Sequence, residues 1–119
     1  MAIVNVTEVV GLGARFDHAA VAAPSLRELL PLYADLLGGQ FFLGGDNVRV
    51  GYRAVQLVYP AGDRLELMEP LRGSTFFDQF FSGGGSRVHH LTFKIRDIHA
   101  AIEAMTEAGY TPTSVPRFR

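Results

Sequence analysis

Residues 87–95 read RVHHLTFKI, and the alternation of apolar and polar residues in this segment decides the fold. Leu91 and Phe93 fall on one side of an extended chain, whereas His90 and Thr92 fall on the other. A two-residue period of this kind predicts a β-strand that is covered on one face only. His90 is therefore expected on the polar face of a strand.

A second segment of the same form lies upstream, where residues 16–23 read FDHAAVAA with His18 in the position of His90. The offset between the two histidines is 72 residues (90 − 18), and it continues past the strands. Ser25 and Asp97 are also 72 apart, and each is an N-cap type of residue before an amphipathic helix. A duplicated strand–helix unit of this length indicates two paired modules rather than a solenoid.

The first module is expected to span residues 15–70 as a strand, a helix and three further strands. The helix is predicted over residues 26–37, as one helix with a kink at Pro31, which lacks the N–H of the helical ladder. Glycine is expected to end each helix, at Gly38 and Gly109. The remaining strands of the module are predicted at residues 40–43, 48–58 and 64–69, with a turn at residues 44–47.

Residues 71–86 are predicted to form a short helix and a glycine-rich linker. The helix carries four phenylalanines at helical spacing, which favours a plug in the core over a hydrophobic contact with a second subunit. Residues 87–119 are predicted to form a partial second module, with a strand near residues 110–115. A full second copy would extend past Arg119, so its final hairpin is expected to be missing from this chain. Residues 3–10 are rich in β-branched residues and could form an additional strand or an arm.

Composition predicts a single domain, residues 1–119, of the α+β class. The chain is 48% hydrophobic and 19% charged, which is sufficient for a hydrophobic core. A net charge of −1 provides no electrostatic reason to expect nucleic acid or an anionic membrane as a partner. The absence of cysteine excludes disulfides and thiolate metal sites. No signal peptide or membrane span is apparent, so a cytoplasmic location is expected.

Three residues are candidates for a metal site. His18, Glu66 and His90 each fall on the polar face of a predicted strand. Two imidazoles and a carboxylate suit a divalent ion such as Zn²⁺, Mn²⁺, Fe²⁺, Co²⁺ or Ni²⁺. The alternative is that both histidines are hydrogen-bonded pocket residues without a metal. His89 is expected on the face that the helices cover, with a structural role.

Five motifs of the chain resemble the vicinal oxygen chelate (glyoxalase/bleomycin resistance/dioxygenase) superfamily, and most closely its methylmalonyl-CoA epimerases. The resemblance implies paired βαβββ modules that form a curved, U-shaped sheet around a divalent metal ion, with the second module incomplete in this chain. Transferred position by position, it implies that the metal ligands are His18, Glu66 and His90. The motifs are FDH (16–18), LLG (36–38), LELMEPL (65–71), VHHLTF (88–93) and DIHAA (97–101).

The resemblance implies a metal-dependent enzyme that stabilises the enolate of a carboxylic acid or CoA thioester. In the epimerases a glutamate on the last strand is the fourth ligand and one acid/base group, and this chain is expected to end before that strand. The position nearest to the second base holds Gln56, an amide that cannot accept a proton at neutral pH. Gln56 is therefore a candidate substrate contact, and the catalytic residues stay unknown.

Other functions within the same fold are weighed against the epimerase interpretation. One is a metal-free protein that binds or sequesters small molecules such as drugs, although such proteins commonly lack the metal ligands. Another is a glyoxalase-type isomerase or lyase, and an extradiol dioxygenase is a weaker candidate. A third is an inactive remnant whose open sheet edge is completed by another chain. The expected partners are a small-molecule substrate, with acyl-CoA as the most specific candidate, and a second copy in a homodimer.

Overall fold

The computed structural model describes residues 11–113, and the sheet is its central element. Within these residues the sheet has five strands in the order β2-β3-β4-β1-β5, with parallel β1 and β4 and antiparallel β2–β3 and β3–β4 pairs. This mixed open sheet with a few helices confirms the predicted α+β class. Its strands are β1 (Arg15–Ala22), β2 (Gln40–Asn47), β3 (Tyr52–Val58), β4 (Arg64–Pro70) and β5 (Arg87–Lys94).

The chain forms two compact units, of which the larger comprises residues 16–92. The described part of the other unit, residues 11–15 and 93–113, contains helix α2 (Ile98–Glu107). The Asp97 side chain accepts a hydrogen bond from the amide of Ala100 at 3.1 Å, which confirms the predicted N-cap. Gly109 follows the helix with a φ of 95°, as predicted.

Some predicted elements fall wholly or partly on residues that the structure leaves undescribed. The extra strand or arm at residues 3–10 lies outside the described residues. Residues 110–113 form no strand, and the rest of the predicted strand near residues 110–115 is not described. The module boundaries at residues 15–70, 71–86 and 87–119 stay predictions. In the described part of the chain, no helix is both long enough and apolar enough to cross a membrane.

The prediction of one kinked helix over residues 26–37 was wrong. The segment forms a 3-10 turn at Leu26–Glu28 and then a π-helical stretch at Pro31–Leu36. Proline has no N–H to donate to the carbonyl four residues earlier, so the regular α-helical ladder is interrupted there. After the proline the hydrogen bonds widen, since the amide of Leu37 donates to the carbonyl of Leu32 at 2.9 Å.

The turn predicted at residues 44–47 was also wrong, because β2 continues through this segment and the chain turns at residues 48–51. The Asn47 side chain accepts a hydrogen bond from the amide of Val50 at 3.0 Å, and Gly51 adopts a φ of 105°. Gly44 pairs with Val55 within the strand, and a Cβ at Gly44 would lie 3.0 Å from the carbonyl oxygen of Ala54. Its glycine therefore reflects close packing of two strands rather than a turn.

Each face of the sheet carries its own hydrophobic cluster. The helical segment covers one face, where Leu57 and Leu67 are fully buried with neighbouring aliphatic side chains. On the other face, Phe77 is only 1% exposed and packs against a cluster that includes Ala20 and Met68. Phe77 immediately precedes α1 (Asp78–Ser82), a helix of only five residues. Because Phe77 is buried, the aromatic segment plugs the core as predicted.

Candidate metal centre

Strand register places the candidate ligands on one face of the sheet. Residue pairs in register on neighbouring strands share a face, and the pairs between β1 and β4 include His18 with Arg64 and Ala20 with Glu66. Gln56 on β3 lies directly opposite Glu66. Because β5 is the neighbour of β1 on its other side, His90 reaches the same region from a fourth strand.

The three predicted ligands lie close together. His18, Glu66 and His90 can each offer one ligand atom such that all three atoms lie within 4.8 Å of one another. The His18 and His90 ring centroids are 6.1 Å apart, and the rings are inclined at 72°. His18 is buried, with 7% of its surface exposed, and the other two residues are half-buried. Rigid strands thus hold two imidazoles and a carboxylate around one point.

The donor and acceptor pattern around His18 fits a divalent cation. His18 Nδ1 lies 2.7 Å from Asp17 Oδ2, and a carboxylate oxygen only accepts, so Nδ1 carries the hydrogen. In that tautomer the neutral ring directs its Nε2 lone pair towards Glu66 Oε2, 3.2 Å away. Two acceptors at this distance require a proton or a cation between them. A divalent ion bound by nitrogen and oxygen donors would satisfy both atoms.

Gln56 adds a further acceptor beside the centre. Its Nε2 donates a hydrogen bond to Glu66 Oε2 at 3.2 Å. In the described part of the chain, Gln56 Oε1 is a buried side-chain oxygen that has no hydrogen-bond partner. A buried acceptor of this kind carries a desolvation cost unless a ligand supplies a donor or a cation. Its position next to Glu66 is compatible with the predicted substrate contact, which stays a prediction.

Two residues that support the histidines did not emerge from the sequence patterns. Asp17 bonds His18 through one carboxylate oxygen, and its other oxygen accepts a hydrogen bond from the Arg64 guanidinium. The Asp17 side chain is only 11% exposed. Arg64 lies opposite His18 in the β1–β4 register, which joins two strands far apart in sequence. The pair therefore forms a charged brace behind His18.

His89 is a third supporting residue, and the expectation that it faces the helix-covered side was wrong. Its ring contacts Phe77 and Phe80, with centroids 5.2 and 4.9 Å away, in the aromatic cluster on the face that carries His18. Its Nδ1 lies 2.7 Å from His90 Nδ1. Burial lowers the pKa of His89, repulsion by His90 lowers it further, and Glu66 acts in the opposite direction.

Most of the chain matches a known protein superfamily. The family model of the Glyoxalase/Bleomycin resistance protein/Dioxygenase superfamily matches residues 17–119. The chain belongs to this superfamily. The matched residues include the strands that carry His18, Glu66 and His90.

Two relatives are named as epimerases of acyl-CoA substrates. The chain is 28% identical over 105 residues to the mitochondrial methylmalonyl-CoA epimerase of Dictyostelium discoideum, with 85% of this chain and 60% of the relative covered. It is 30% identical over 99 residues to the ethylmalonyl-CoA/methylmalonyl-CoA epimerase of Cereibacter sphaeroides, covering 80% of this chain and 71% of that one. It therefore spans about three-fifths of the length of the Dictyostelium relative.

A solved structure of the same kind shares the fold. A variant of the Streptomyces coelicolor methylmalonyl-CoA epimerase, in complex with 2-nitronate-propionyl-CoA, superposes with a TM-score of 0.65 at 27% sequence identity. The match covers 80% of this chain and 71% of that one. This likeness confirms the resemblance to the epimerases within the superfamily.

Proposed function

We propose that the chain is a metal-dependent enzyme of the methylmalonyl-CoA epimerase type that acts on a CoA thioester of a carboxylic acid. The observation that carries the proposal is the convergence of ligand atoms from His18, Glu66 and His90 within 4.8 Å. The two facing acceptors, His18 Nε2 and Glu66 Oε2, lie 3.2 Å apart and support a cation there. The epimerase relatives, one of them solved with an acyl-CoA analogue, support the substrate class.

The chemistry follows from charge. A carbon between a thioester carbonyl and a carboxylate carries a weakly acidic proton, and a divalent ion would stabilise the enolate that forms when this proton leaves. In this chain His18, Glu66 and His90 would hold the ion on three strands, and the Asp17–Arg64 brace would keep the His18 ring in place.

Gln56 contributes binding rather than proton transfer. An amide cannot accept a proton at neutral pH, but its buried Oε1 can accept a hydrogen bond from a substrate donor. Its Nε2 meanwhile steadies the Glu66 carboxylate. The acid and base groups of the reaction are not assigned among the described residues.

Metal content is the first test. Purified wild-type protein is expected to contain about one divalent ion per chain after loading with Co²⁺ or Mn²⁺, because three protein ligands converge on one point. His90→Ala is expected to lose the ion. Thr92→Ala, two residues further along β5, is the matched control and is expected to retain it.

Activity is then measured as exchange of the α-proton of methylmalonyl-CoA with deuterated solvent, followed by NMR. Exchange is expected in the loaded wild type and in Thr92→Ala, and is expected to be lost in His90→Ala. Wild-type protein that binds no metal after loading would contradict the proposal and favour a metal-free binding protein of the same fold. Metal binding without α-proton exchange would retain the metal centre and remove the epimerase assignment.

The proposal extends to assembly and location. We expect a homodimer in the cytoplasm, with residues 15–70 and 87–119 acting as paired modules. Among the described strands β5 is an edge, and its Val88 and Leu91 side chains are 57% and 58% exposed. Exposed apolar edge strands favour pairing with another chain. A monomeric mass by light scattering would contradict this part of the proposal.

A further inference from the structure

We propose that His89 is a positioning residue that holds His90 in the tautomer protonated at Nδ1, which leaves His90 Nε2 free to bind the metal ion. The inference rests on the proposed metal centre. It assigns a role to a residue that the strand pattern alone places away from the site.

The short contact between the two rings restricts the tautomers that His89 and His90 can adopt. His89 Nδ1 and His90 Nδ1 are 2.7 Å apart, so one nitrogen must donate and the other accept. If His89 donates, the neutral His90 ring carries its hydrogen on Nε2, which then cannot bind a metal ion. If His90 donates, Nε2 keeps its lone pair. Because Nδ1 of His90 is engaged by His89, Nε2 is the ring nitrogen left for the metal, and only the second arrangement is compatible with ligation.

The internal repeat supports this assignment. Asp17 and His89 occupy equivalent positions, 72 residues apart, as do His18 and His90. In the first copy Asp17 Oδ2 accepts from His18 Nδ1 at 2.7 Å, and in the second copy His89 stands at the same distance from His90 Nδ1. Histidines that bind a metal ion commonly donate their other N–H to such a partner. Each of the two predicted histidine ligands therefore has its acceptor immediately before it in the chain.

The orientation of His89 is itself determined by packing. Its ring meets Phe80 at 68° and Phe77 at 84°, both in edge-to-face geometry. Phe77 is almost fully buried, so it provides a rigid wall. The aromatic plug therefore restrains the His89 ring, and the restrained ring directs its Nδ1 lone pair at His90.

Two substitutions separate the hydrogen bond from the packing. His89→Phe retains an aromatic ring beside Phe77 but removes the acceptor. His89→Asn loses the ring but places an amide oxygen near the position of Nδ1, so it retains an acceptor. Thermal unfolding of both variants shows whether the fold is preserved.

The first readout is the tautomer of His90 in the metal-free wild type, measured by long-range ¹⁵N–¹H NMR correlation. A hydrogen on Nδ1 is expected in the wild type and in His89→Asn, whereas a shift to Nε2 is expected in His89→Phe. A wild-type His90 protonated at Nε2 overturns the inference, whatever the variants do. This measurement needs no metal, so it remains decisive even if the proposed metal-dependent function fails.

The second readout is Co²⁺ affinity, followed by visible absorption. Loss of an outer partner of a metal-bound histidine weakens metal binding by about 10–100-fold, and this loss is expected for His89→Phe. His89→Asn is expected to restore most of the affinity. Equal affinities of the wild type and a folded His89→Phe variant overturn the inference, whereas absence of Co²⁺ binding in the wild type overturns the metal centre itself.

Discussion

Asp17→Asn tests how much the charge behind His18 contributes to the proposed metal centre. The substitution retains the size of the side chain and an oxygen acceptor but removes the negative charge. Asp17 lies 2.7 Å from His18 Nδ1 with a side chain only 11% exposed, so solvent screens the interaction weakly. We expect metal affinity to fall, because the imidazole becomes a weaker donor without the carboxylate.

The magnitude can be worked from the contact. A hydrogen bond to a charged group contributes about 1.5–3 kcal/mol, and a neutral one about 0.5–1.5 kcal/mol. The difference, about 1–1.5 kcal/mol, corresponds to roughly tenfold in a binding constant, since 1.36 kcal/mol is one factor of ten. Substituting the hydrogen-bond partner of a metal-bound histidine typically lowers metal affinity by about 10–100-fold, and the tenfold value lies at the lower end of that range.

The assay is Co²⁺ titration of wild type and Asp17→Asn at one pH and one ionic strength. Asp46→Asn is the control, because Asp46 pairs with Arg53 at an exposed position, 37% and 49% exposed respectively, and takes no part in the centre. The control is expected to bind Co²⁺ like the wild type. If Asp17→Asn binds as tightly as the wild type, the brace behind His18 has no role in metal binding and the reasoning fails.

Three further predictions concern stability. Leu67→Ala empties a fully buried position and is expected to cost about 2–5 kcal/mol in urea unfolding; a cost near zero would contradict the described core. Burial, and then repulsion by Tyr33, raise the pKa of Tyr59 above its ordinary 10.0, and its hydroxyl donates to the Tyr33 carbonyl at 2.7 Å. The contribution of the Tyr59 hydroxyl to the free energy of unfolding is therefore complete below pH 10 and is lost as pH rises through the raised pKa. Tyr59→Phe is expected to remove this pH dependence in thermal unfolding at alkaline pH. Gly51→Ala is expected to cost about 1–3 kcal/mol, since Gly51 has a φ of 105° and a Cβ would lie 2.3 Å from Ser74 Oγ; unchanged thermal stability would exclude this strain.

Local pattern was sufficient to predict much of the fold and the candidate ligands. Alternation along β1, β4 and β5 assigns His18, Glu66 and His90 to polar faces, because successive side chains of a strand point to opposite sides. The 72-residue offset relates the two histidines to each other through the internal repeat. Both inferences need only backbone geometry and the sequence pattern, and in the structure the same three residues lie together.

The supporting contacts depend on the tertiary structure. Arg64 reaches Asp17 only because β1 and β4 pair in one register, and pairing across 47 positions leaves no local signal. His89 turns towards Phe77 because the aromatic plug occupies that face, which strand alternation cannot foresee. The break in the first helix has a local cause in Pro31, but the hydrogen bonds that replace the regular ladder depend on how the segment packs. Periodicity assigns a residue to a face of the sheet, whereas side-chain partners are chosen by register and packing between segments distant in the chain.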